Sequence, residues 1–94
     1  MNADDRYASV WDAIEDTPTA AENMKLRAAV MMALEEHIGR QGWTQAEAAR
    51  RLGVTQPRVS DLVRGKIDLF SLDALVNMAV AAGLHVDLRI ADAA

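Results

Sequence analysis

The stretch that decides the fold runs from residue 42 to residue 66, "GWTQAEAARRLGVTQPRVSDLVRGK". It holds two helix-length runs, QAEAARRL and QPRVSDLVR, each preceded by a threonine and separated by Gly53. Thr44 with Glu47 spells a capping box, in which each side chain satisfies a free backbone N–H of the other residue. Thr55 caps the second run and Gly65 closes it. Between the runs the backbone must enter the left-handed region, which glycine does without steric cost. Four residues earlier the two helices press together, so the side chain there must be small, and Ala49 meets that demand. Val54, Val59 and Leu62 supply the apolar contacts that hold the second helix at its angle; Ala48 and Leu52 do so from the first.

Two helices joined by a three- or four-residue turn with glycine form a helix-turn-helix unit. Its surroundings bear on what it does. The chain is 94 residues long, half of them apolar, and has a net charge of −4. That is one small domain, near the lower limit for a self-sufficient core. The charge is strongly polarised: residues 1–24 carry −5, residues 25–42 carry +1, residues 43–66 carry +3 and residues 67–94 carry −3. The positive charge thus collects on the motif, and a local face is what matters for phosphate, because screening removes charge beyond about 8–10 Å. With no cysteine there is no disulfide, thiolate nucleophile or thiolate-bound metal; His37 and His85 lack metal-ligand spacing, so no metal or other cofactor is expected. No serine sits beside histidine and carboxylate in a recognisable signature and no glycine-rich phosphate loop is present, so an enzyme is not expected. No apolar run approaches the ~20 residues of a membrane span, and the acidic N-terminus does not resemble a signal peptide, which predicts a cytoplasmic protein with no membrane contact.

Outward from the motif, residues 1–18 form an acidic segment in which Tyr7, Val10, Trp11 and Ile14 make the stripe of a short amphipathic helix, with Ser9 and Asp12 at its start. Residues 19–94 form the main domain. Thr19 with Glu22 repeats the capping box and opens a long helix stopped by Gly39 and Gly42. Its rows Leu26, Val30, Ala33, His37 and Met31, Leu34, Ile38 predict a wide buried face. After the motif, Ser71 caps a helix that Gly83 stops. Then Leu84, Val86, Leu88 and Ile90 alternate with His85, Asp87 and Arg89, the period of a half-buried strand over residues 84–91. The expected fold is mostly α, four to five helices with a C-terminal β-strand.

Gln45, Ala49, Gly53, Thr55, Gln56, Val59, Leu62, Gly65 and Lys66 together resemble the Cro/cI phage-repressor class of helix-turn-helix, the Xre family. The wider pattern over about residues 20–90 is similar to small Xre-type regulators, including the HigA-like antitoxins. The resemblance implies a dimeric, sequence-specific regulator of transcription, a repressor, whose partners are an operator in double-stranded DNA and a second copy of itself. The alternative is an antitoxin that neutralises a RelE/HigB-like protein toxin and represses its own operon. Carried onto this sequence, the family pattern places Gln56, Pro57, Arg58, Ser60 and Asp61 toward bases, and Thr44, Gln45, Thr55, Arg64 and Lys66 toward phosphates. Gln56 suits adenine N6 and N7, and Arg58 suits guanine O6 and N7 or a phosphate. Asp61 can accept from cytosine or steady Arg58 three residues back. Arg50 and Arg51 solvate a face, pair with Glu47 at i+3 and i+4, or reach phosphate. Pro57 departs from the family, which often has a polar base reader there; it can touch a thymine methyl or shape the helix start, the second being the preferred reading. A lone strand needs a partner, so Leu84, Val86, Asp87, Leu88, Arg89 and Ile90 are expected to pair antiparallel with the same strand of a second molecule. The best register sets Asp87 against Arg89 and Leu88 against itself, and the alternative register pairs His85 with Asp87.

Overall fold

The computed structural model describes residues 17–93. Four α-helices follow one another: α1 (Pro18–Gln41), α2 (Gln45–Leu52), α3 (Gln56–Val63) and α4 (Leu72–Ala81), with a short 3-10 turn at Ile67–Leu69 ahead of α4. Each helix begins the same way. Thr17, Thr44, Thr55 and Ser71 lie in extended backbone, and the side-chain oxygen of each accepts the N–H three residues on. One start differs from the sequence expectation. Thr17, not Thr19, caps α1, because Pro18 sits at the first helical position, where its fixed φ is pre-formed and its missing N–H is not needed. Thr19 and Glu22 are already inside the helix. The expected amphipathic helix of Tyr7, Val10, Trp11 and Ile14 lies outside the described residues.

Helix α1 packs chiefly on α4, and α2 on α3. One core results, built from Met31, Leu34, Ile38, Ala48, Ala49, Leu52, Val59, Leu62, Phe70, Leu75, Met78 and Ala79. The buried face of α1 is narrower than its apolar spacing predicts: Ala33 and Leu26 are exposed, while Val30 and His37 are half-buried. Arg27 takes the vacated side, buried with its guanidinium hydrogen-bonded. It donates to Asn23 Oδ1 at 2.7 Å and to the carbonyls of Ile67 and Phe70 at 3.1 and 3.5 Å. At the other end of α1, His37 Nε2 lies 3.2 Å from the Ala82 carbonyl oxygen and the ring meets Trp43 edge-on.

The expected C-terminal strand is not formed. Residues 84–93 run past α4 as irregular backbone, and the elements of the described residues are all helical, with no strand among them. Alternation decides which side a residue faces, but a strand also requires a neighbouring backbone to accept its hydrogen bonds. Here Leu84 and Val86 do turn inward onto the helical core. Leu88 and Ile90 then leave it, 67% and 87% exposed. The antiparallel register that set Asp87 against Arg89 falls with the strand; Asp87 instead meets His85 of its own chain at 2.9 Å.

Candidate nucleic-acid interface

The angle between α2 and α3 is fixed at Gly53. Its φ is 71°, and a Cβ added there would meet no atom within 4 Å, so glycine is required by conformation and not by space. The N–H groups of Gly53 and Val54 both donate to the Ala49 carbonyl, which closes α2. Val59 and Leu62 are fully buried and set the rotation of α3. The opposite side of that helix consequently faces solvent: Gln56 and Pro57 are exposed, with Arg58, Ser60 and Asp61 half-buried beside them.

The two helix starts lie open as well. Thr44, Gln45 and Thr55 are exposed. Thr44 Oγ1 accepts from Glu47 N at 3.1 Å and Thr55 Oγ1 from Arg58 N at 3.4 Å. Each hydroxyl keeps its hydrogen for an outside acceptor. Helix N-termini carry partial positive charge and unpaired N–H groups, the chemistry that holds a phosphate. Arg64 and Lys66 stand exposed beyond the far end of α3.

Most cations of the motif are engaged within the protein. Glu47 binds two of them: Arg51 Nε lies 2.8 Å from Oε1, and Arg50 forks across both carboxylate oxygens. The hydrogen bond from Arg50, then that from Arg51, hold the Glu47 carboxyl below its ordinary value. Glu47 therefore serves the two arginines rather than completing a reciprocal box with Thr44. Arg51 also lies over the Trp43 ring, 5.2 Å from its centroid. Asp61 pairs with Lys66 at 3.6 Å, not with Arg58. Arg58 reaches the other way, donating to the Leu69 carbonyl at 2.8 Å with its guanidinium carbon 4.0 Å from the Phe70 ring centroid. Among the described residues Arg64 forms no ion pair.

The helix-turn-helix domain family matches residues 13–91, most of the chain. A solved structure provisionally named an XRE family transcriptional regulator shares 34% identity and superposes with a TM-score of 0.72, covering 78% of this chain and 82% of that one. No curated protein matches. The chain is an Xre-type helix-turn-helix regulator.

As a member of that family this Xre-type protein is a DNA-binding transcriptional regulator. Its fold gathers the ten residues singled out for DNA onto α3, the two helix starts and the α3 end. The six residues assigned to a dimer strand are not gathered with them; they lie on the C-terminal segment after Gly83. Among the described residues no helix of the Xre-type regulator is long and apolar enough to cross a membrane. Two buried residues behind the interface went unassigned by sequence. Phe70 precedes the Ser71 cap and Leu75 follows at the fourth helical position, both fully buried in one cluster. That spacing is a hydrophobic staple, and it was there to be read. Arg27 carried no such signal, since an arginine in an amphipathic helix ordinarily faces water.

Proposed function

We propose that this regulator represses transcription by binding, as a homodimer, a two-fold symmetric operator in double-stranded DNA. The observation that carries the reading is the juxtaposition of an outward α3 side with two capped, solvent-open helix starts. In this arrangement α3 enters the major groove. Gln56 leads, with Pro57, Arg58, Ser60 and Asp61 lining the groove side. Thr44, Gln45, Thr55, Arg64 and Lys66 hold phosphates on either flank, which fixes register without reading sequence.

Length supports two copies. Helix α3 has eight residues, about 12 Å at 1.5 Å per residue. That is too short to read more than about one half-site, and paired half-sites lie one turn apart, about 34 Å. Exposed Leu88 and Ile90 offer apolar side chains for the second copy. Binding-site selection with the purified protein tests the reading: a palindromic operator is expected. On that operator Gln56→Ala is expected to cost about 1–3 kcal/mol while non-specific binding stays level. Equal operator affinity of Gln56→Ala and the parent protein would remove α3 from the groove.

A further inference from the structure

Arg58 sits at the third position of the helix proposed to enter the groove, where a side chain has a choice between DNA and its own protein. In this structure it is committed inward. Nη1 donates to the Leu69 carbonyl at 2.8 Å, and the guanidinium stacks at 4.0 Å on Phe70, a ring that is 1% exposed. Arg27 of α1 donates to the Ile67 and Phe70 carbonyls of the same corner. Two arginines from two helices thus hold the 3-10 turn that follows α3. The corner has backbone bonds of its own, from Leu69 N to Lys66 O and from Phe70 N to Ile67 O, but they span only a single turn. Lys66, at the start of the turn, is held to α3 through Asp61; Arg58 adds the side-chain tie from α3 to the far end of the turn, across 11 residues of sequence.

We infer that Arg58 is a positioning residue that clips the recognition helix to the Ile67–Phe70 corner, and that base reading belongs to Gln56 and its exposed neighbours. This rests on the DNA-binding reading above and narrows it. The clip works by geometry. A planar guanidinium can stack on the ring and fork to a carbonyl at once; an ammonium on a flexible stem cannot do both. Loosening it lets α3 rotate about its buried Val59–Leu62 side, which turns Gln56 off its target without removing any groove contact.

Arg58→Lys, which keeps the charge, separates the possibilities. Two measurements are made on the full chain. In DNA-free protein, amide hydrogen exchange at Leu69 and Phe70 is expected to quicken severalfold while the α1 core amides stay protected. On operator DNA, discrimination is expected to soften at the base pairs that Gln56→Ala affects, with no new position losing its preference. Phe70→Leu, at a buried site that cannot touch DNA, is expected to reproduce that pattern. Arg58→Gln is expected to leave the salt slope unchanged, where a lost phosphate contact lowers it by about one. Loss of a separate guanine preference in Arg58→Lys would overturn the clip in favour of base reading. A slope lowered by one in Arg58→Gln would overturn it in favour of a phosphate contact. Unchanged exchange at the corner would overturn it without reference to DNA, so its failure is distinct from failure of DNA binding itself.

Discussion

At the scale of the residue, the tightest demands come from backbone conformation. Gly53 at φ 71° sits in open space, so any replacement is opposed by its own Cβ and carbonyl and by nothing else. Gly53→Ala is expected to lower unfolding free energy by about 1–2 kcal/mol, with Gly53→Asn costing less, since asparagine tolerates the left-handed region. Urea denaturation of the two variants checks the order; an alanine variant as stable as the parent would remove the conformational argument. The same scale shows how far single letters could be read. Gly53, Ala49, Val59 and the Thr44 and Thr55 caps were legible because each answers a local geometric need. The partners of Arg58 and Asp61 were not, because they are settled by what the 3-10 turn brings nearby: Leu69 and Phe70 for one, Lys66 for the other.

At the scale of the element, α2 carries a three-member charge cluster on two adjacent turns. Glu47 has its carboxyl pKa depressed in the folded protein, by Arg50 first and Arg51 next. A depressed carboxylate pKa contributes stability above the ordinary glutamate value, about 4.3, and that contribution is lost as pH falls through the lower folded value. The gap in stability between the parent and Glu47→Gln is therefore expected to be level at neutral pH and to shrink on acidification below the ordinary glutamate range. Denaturation curves at neutral and acid pH measure it; a gap that widens in acid would reverse the assignment. The same variant releases Arg50 and Arg51, so its non-specific DNA affinity is expected to rise and its salt dependence to steepen. The element also shows why helix faces are read imperfectly. Spacing told that α1 was amphipathic, yet Leu26 is exposed and Arg27 is buried, where it donates to the Ile67 and Phe70 carbonyls.

At the scale of the whole molecule, the C-terminal segment is where sequence and structure part. Its alternation located the inward residues: Leu84 and Val86 do pack on the core. It could not supply a second backbone, and pairing is a property of two segments, not one. The segment should accordingly divide in two by stability. Removing residues 88–94 is expected to leave the thermal midpoint nearly unchanged, since Leu88 and Ile90 are exposed. Removing residues 84–94 also strips Leu84 and Val86 from the core and is expected to lower it by several degrees, on the order of 1–2 kcal/mol. Thermal melts of both truncations decide this, and sedimentation of the shorter truncation reports on self-association. A dimer that persists without residues 88–94 would place the contact elsewhere on the surface.

The ion pairs of Glu47 and Asp61 reach beyond stability. Of the five cations between residues 43 and 66, three already have a carboxylate partner. Attraction to anonymous stretches of the chromosome grows with the phosphates that a protein neutralises, and here much of that capacity is occupied. Less of the regulator is then expected to rest on irrelevant DNA than the charge of its motif alone implies. A smaller ratio of operator to non-specific affinity in Glu47→Gln than in the parent protein checks this.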